Sequence, residues 1–131
     1  MYKARILHTM LRVGDMQRSI DFYTRVMGMQ VLRTYDQPED RFSLTLLGYG
    51  DEADTCVLEL TYNYDVDRYD IGNAYGHIAI GVEDCGQVCT QAQERGGEVT
   101  YGPILMEGLN EIIAFIKDPD DYQIELVERP G

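Results

Sequence analysis

The chain repeats itself. A shift of 69 positions lays His8 on His77, Val13 on Val82, Asp15 on Asp84 and Gly28 on Gly97 without a gap. An internal repeat of this kind constrains the fold more than any local signal, because both halves must build the same supersecondary unit. The 131 residues suffice for one domain, or for two half-domains sharing a core, without disulfide support.

Each copy opens on a run with strand period, "ILHTMLRV" in the first and "HIAIGV" in the second. An aspartate follows, Asp15 or Asp84, whose carboxylate can accept from the free N–H groups at a helix start. Apolar residues then recur at helical spacing: Met16, Ile20, Tyr23 and Met27 in the first copy, Cys85, Val88, Cys89 and Ala92 in the second. Gly28 and the Gly96-Gly97 pair end the two helices. The period then returns to that of strands, through "MQVLRTY", "RFSLTLLGYG" and "TCVLELTY" in the first copy and "GEVTYG", "EIIAFIKD" and "YQIELVE" in the second. Turn-rich pieces such as "DQPED", "GDEAD" and "DPDD" separate them. The expected fold class is α+β, with two βαβββ modules, each an incomplete barrel. The first spans residues 1–64 and the second 77–131, joined by a polar, glycine-bearing linker over 65–76.

The last strand of each copy carries an acid among apolar neighbours, Glu59 in "VLEL" and Glu125 in "QIELV". Burying a carboxylate is costly unless it is paired or binds a metal. The repeat therefore duplicates a His–Glu pair. Curled sheets could bring His8, Glu59, His77 and Glu125 to one centre, a donor set suited to nickel, zinc, iron or cobalt. Such a set leaves two positions of an octahedral ion open. A core or edge role for either histidine, and a solvent-facing role for the glutamates, are the competing readings. By alternation Arg12 shares a strand face with His8, and Asn63 with Glu59 and Thr61. A solvated arginine and a turn asparagine are the plainer roles for that pair.

Composition removes several functional classes. The net charge of −12, with only 11 scattered Lys and Arg, excludes a phosphate-binding stripe and hence nucleic acid as partner. It also repels anionic substrates at long range. No apolar run approaches membrane-spanning length, and "MYKARILHTM" lacks a signal-peptide h-region. Three cysteines, Cys56, Cys85 and Cys89, make no even framework and no CxxC pair. Together these features predict a cytoplasmic protein without disulfides, in which Cys85 and Cys89 pack in a core. Tyr49, Tyr62 and Tyr75 could line a cleft or fill it.

Through "LHTMLRVGD", "RSIDFYT", "LGYG", "LELTYNY", "AYGHIAIGVED" and "DPDDYQIEL" the chain resembles, over nearly its whole length, the glyoxalase I (lactoylglutathione lyase) enzymes of the short microbial type, within the vicinal oxygen chelate superfamily. The resemblance implies a homodimer in which His8 and Glu59 of one subunit meet the partner subunit's His77 and the partner subunit's Glu125 around one divalent ion. Nickel is favoured, with cobalt and zinc as alternatives. The implied reaction isomerises the hemithioacetal of methylglyoxal and glutathione to S-D-lactoylglutathione through a cis-enediolate, a methylglyoxal detoxification. Glu125 would be the base and Glu59 its counterpart across the metal. Arg12 and Asn63 match positions that hold the γ-glutamyl end of glutathione.

Two departures stand out. Residues 102–112, "GPILMEGLNEI", read as a loop with Glu107 and Glu111 where relatives carry bases. Either Arg5 or Lys117 compensates, or the thiol is less anionic than glutathione. "DPDD" stands where the family more often has DPDG, with local strain expected. The rival functions are an extradiol-type dioxygenase, a metal-free ligand-sequestering resistance protein of the same superfamily, and a fosfomycin-modifying thiol transferase.

Overall fold

The structure is a computed structural model that describes residues 3–129. Its first half runs β1 (His8–Arg12), α1 (Met16–Arg25), β2 (Gln30–Gln37), β3 (Phe42–Gly48) and β4 (Val57–Asn63). The second half runs β5 (Ile78–Gly81), α2 (Cys85–Glu94), β6 (Glu98–Met106), β7 (Glu111–Lys117) and β8 (Gln123–Glu128). Each half forms its own open four-stranded sheet, ordered β1-β4-β3-β2 and β5-β8-β7-β6. In both, the first strand lies parallel to the last, and the remaining pairs are antiparallel. The α+β class and the twice-written βαβββ unit are thus present, as open sheets rather than closed barrels.

The helix starts obey the same chemistry in both halves. Asp15 accepts from the Arg18 N–H at 3.0 Å and Asp84 from the Gln87 N–H at 3.1 Å, each from an extended backbone. The ends differ by one residue. Gly28 takes the left-handed conformation (φ +74°), whereas in the second copy Gly96 does so (φ +90°) rather than Gly97, its counterpart by the repeat. Adjacent glycines leave either free to turn the chain.

Helix packing departs from the repeat. The buried face of α1 is Ser19, Phe22 and Tyr23, continued by Val26 and Met27, while Met16 and Ile20 are half-buried. In α2 the buried residues are Cys85, Cys89 and Ala92. The sequence of α1 offers two overlapping apolar stripes, and the one that buries both aromatic rings prevails, since aromatic side chains remove the most apolar area from water. The core also takes in Leu11, Val13, Leu47, Leu58 and Leu60 from the first half and Ala114, Ile116, Ile124 and Leu126 from the second.

A second departure is β6, which continues through Met106 where residues 102–112 read as a loop. The Gly102-Pro103 pair falls in an irregular stretch of the β6–β7 ladder, between Tyr101 and Ile104, instead of ending the strand. A Cβ at Gly102 would lie 2.5 Å from the Ile113 carbonyl oxygen, so only glycine fits this close approach. "DPDD" forms a tight turn. Buried Asp118 accepts from the N–H groups of Asp120 (2.9 Å) and Tyr122 (3.0 Å), and Asp121 adopts φ +71°.

The division between two compact units falls between Tyr69 and Asp70. On the first side Asp65 pairs with Arg41, and Asn63 Nδ2 donates to the Tyr69 hydroxyl at 3.0 Å. On the second, Tyr75 donates to the Gln123 carbonyl at 2.8 Å. Among the described residues no helix is long and apolar enough to cross a membrane.

Candidate metal centre

Strand alternation sorts each sheet into a face under the helix and an opposite, more open face. In the first unit Leu58 and Leu60 go to the core, so Glu59, Thr61 and Asn63 take the other face. The parallel register sets Met10 beside Glu59 and Arg12 beside Thr61, so His8, Met10 and Arg12 share that face. In the second unit Ala79 is in register with Glu125, and Phe115 pairs with Glu125 from the other side. His77, Phe115 and Glu125 are thereby placed together.

Both units bring the expected pair together in the same way. His8 Nε2 stands 3.6 Å from Glu59 Oε1, and His77 Nε2 stands 3.5 Å from Glu125 Oε1. These separations are too long for good hydrogen bonds. Two donors about 2.1 Å from a common ion would lie roughly 3.0 Å apart at a right angle and about 3.6 Å apart at 120°. The observed spacing matches the wider of these two angles, and the pairs are of equal length in the two units to within 0.1 Å. The glutamate side chains keep 18 % and 21 % of their exposure, so neither is a solvent-facing acid nor a fully buried one. Thr61 donates to Glu59 Oε2 at 3.4 Å. Among the described residues no three His, Cys, Asp or Glu side chains gather as a metal site. Each unit brings one histidine and one glutamate together.

The other sequence candidates divide. Arg12 and Asn63 lie on the same face as His8 and Glu59, with Asn63 Nδ2 bonded to the Tyr69 hydroxyl. Arg5 is exposed, and its guanidinium donates to the main-chain oxygens of Glu52 and Thr55. Lys117 is in register with Gln123 at the far end of the β7–β8 ladder. The tyrosine hydroxyls serve the scaffold: Tyr49 bonds the Met27 carbonyl, Tyr62 accepts from the Asp65 N–H and Tyr75 bonds Gln123. Burial, with Glu128 adding to it, pushes the Cys85 thiol up to about 11, and burial raises Cys89 as well. Both are poor nucleophiles at neutral pH, as core thiols are.

Two residues escaped the sequence reading. Glu52 accepts from His8 Nδ1 at 2.8 Å. Arg129, just past the end of β8, pairs with Glu111 at 2.5 Å, which holds its guanidinium pKa above the usual range. Nothing periodic marked either residue.

Comparison with known proteins places the chain in a family. The profile of the Glyoxalase/Bleomycin resistance protein/Dioxygenase superfamily matches residues 5–126. The lactoylglutathione lyase of Escherichia coli O157:H7 is 53 % identical over 124 residues, covering 95 % of this chain and 92 % of that protein. Among solved structures, the trypanothione-dependent glyoxalase I of Leishmania major superposes with a TM-score of 0.86 at 49 % identity, over 96 % of this chain and 87 % of that one. Glyoxalase I of Zea mays gives 0.90 at 42 % identity over 97 % of this chain, which spans 45 % of the maize chain. With profile, sequence relatives and fold in agreement along nearly its whole length, the chain belongs to the Glyoxalase/Bleomycin resistance protein/Dioxygenase superfamily.

Proposed function

We propose that the protein is a lactoylglutathione lyase, isomerising the hemithioacetal of methylglyoxal and glutathione to S-D-lactoylglutathione. The carrying observation is the duplicated His–Glu pair, with Nε2 facing Oε1 at 3.6 and 3.5 Å in equivalent places of two modules. In this reading His8 and Glu59 of one subunit and the partner subunit's His77 and the partner subunit's Glu125 hold one divalent ion, nickel first, cobalt or zinc as alternatives. In this arrangement a homodimer builds the centre, one subunit giving the first pair of donors and its partner the second. Ile6, Leu105 and Leu109, each more than half exposed in the single chain, are apolar surface that a subunit contact would cover. The ion, when bound, supplies Lewis-acid stabilisation of the charge that develops on the substrate oxygens.

The chain's own residues do the rest. Glu125 takes the proton from C1 of the hemithioacetal and returns it at C2, while the hydroxyl proton passes from the C1 oxygen to the C2 oxygen, so that no atom is gained or lost. Glu59 lies across the centre from it. Arg12 and Asn63, on the His8–Glu59 face, hold the γ-glutamyl end. The duplicated four-donor set disfavours a three-ligand dioxygenase site and a metal-free binding module. The test is to strip the protein of metal, add nickel, cobalt, zinc or magnesium separately, and follow thioester formation from methylglyoxal and glutathione. No turnover with any of them would refute the reading.

A less anionic thiol remains a second reading, on a specific observation. Arg5 is committed to loop carbonyls and Arg129 to Glu111, so two bases with the charge to attract a glycyl carboxylate are already engaged. The similar Leishmania major enzyme is described as trypanothione-dependent. Comparing glutathione with a polyamine-conjugated derivative at two salt concentrations decides it. A preference for plain glutathione dismisses the second thiol.

A further inference from the structure

The two histidines differ in what holds the second ring nitrogen. His8 Nδ1 is bonded to Glu52 Oε2 at 2.8 Å, while its Nε2 faces Glu59. Among the described residues His77 Nδ1 has no such partner, and the ring rests edge-on against Phe115, with centroids 5.3 Å apart and planes at 78°. The repeat would make these environments equal, and they are not.

Glu52 is held firmly. It belongs to the loop between β3 and β4, in which the Asp51 carbonyl accepts from the N–H groups of Asp54 (3.0 Å) and Thr55 (2.9 Å) and from the Thr55 hydroxyl (2.8 Å). Arg5 clamps the same loop through the carbonyls of Glu52 and Thr55. The Val57 N–H bonds the Leu7 carbonyl at 3.0 Å, fixing the loop exit beside His8. A Cβ on Gly50 would already crowd Thr55 Cγ2 at 3.1 Å, so the loop packs tightly on itself.

A carboxylate on Nδ1 requires the proton on that nitrogen, which leaves the Nε2 lone pair free toward Glu59. This is the tautomer a metal bound through Nε2 needs, whereas an unconstrained histidine favours the other. We propose that Glu52 is a positioning residue for metal binding, fixing the tautomer and ring orientation of His8 through its Nδ1–H. The module carrying Glu52 is then the pre-organised half of the centre, and the His77 half is set only on binding. The proposal rests on the reading of His8 as a ligand.

The test uses the full chain. After chelation, ¹⁵N NMR of the neutral ring nitrogens should show His8 as the Nδ1–H form and His77 chiefly as the Nε2–H form. Glu52→Ala should return His8 to the Nε2–H form and weaken zinc affinity, measured by competition with a chromophoric chelator, by about 10–100-fold. Glu52→Gln, whose side-chain carbonyl still accepts from Nδ1–H, should keep the tautomer and lose less affinity. It also replaces the alanine variant should that one fail to fold. His8 found as Nε2–H in the unsubstituted protein, or zinc affinity unchanged in a folded Glu52→Ala protein, overturns the proposal. An unsubstituted protein that binds no zinc instead refutes the metal centre itself, a separate outcome.

Discussion

Sharing one centre between two chains has a quantitative signature in mixed dimers. Glu59→Ala removes the carboxylate that faces His8 Nε2 at 3.6 Å, and Glu125→Ala removes the one facing His77 Nε2 at 3.5 Å. Each variant alone has both of its centres short of one donor in four. Losing a direct ligand should cost more than the roughly 10–100-fold that an outer-shell partner costs in affinity or activity. Combine the two chains, and the outcome depends on where the centre lies. If it draws His8 and Glu59 from one subunit and the other pair from its neighbour, a mixed dimer holds one centre lacking both carboxylates and one centre with all four donors.

The mixed dimer, isolated by two different affinity tags, should then show about half of the unsubstituted activity and hold about one tightly bound ion per dimer. A random mixture, half of it mixed dimers, should recover about a quarter. A centre built within one chain gives a different result, because each chain would carry its own defect into its own site. Activity of the purified mixed dimer no higher than that of the separate variants would refute the two-chain centre. Ion content measured on the same sample distinguishes that result from a failure of the subunits to exchange.

Three further outcomes are expected. Glu125→Gln, assayed under saturating metal, should lower kcat by roughly 10²–10⁴-fold, the usual worth of a positioned proton acceptor; full turnover with metal retained would remove Glu125 from that role. Burial first, then the nearby Asp118 and Tyr122, pushes the Tyr75 phenol up to about 12 from an ordinary value of 10.0. Between those values the folded chain keeps a proton that the unfolded chain has released, so stability falls as pH rises from about 10 to about 12. Tyr75→Phe should make that fall shallower in urea titrations, at a neutral-pH cost of about 1 kcal/mol for the lost bond to Gln123. Asp121 occupies the left-handed region at φ +71°. Asp121→Gly should therefore raise stability by about 0.5–1 kcal/mol, visible in Tm; a lower Tm would show that the side chain itself supports the turn.

What the sequence disclosed, and what it did not, follows from how each feature is encoded. The βαβββ unit, the aspartate caps and the His–Glu pairs recur at matching places in both copies, and a signal present twice stands out from local noise. The β1–β4 and β5–β8 registers then place Glu59 and Glu125 beside their histidines by strand parity alone. Features unique to one copy carried no such support. The tilt of α1 toward Phe22 and Tyr23, the passage of β6 through Gly102-Pro103, and the approach of Glu52 to His8 across 44 residues of chain depend on packing, not period. The His–Glu pair is thus the same in both copies, while the surroundings of each pair differ. His8 acquires a carboxylate behind it and His77 an aromatic ring. An ion held between them would meet one half already set and one half that must still settle, so substitutions around Glu52 should act on affinity before they act on the proton transfer at Glu125.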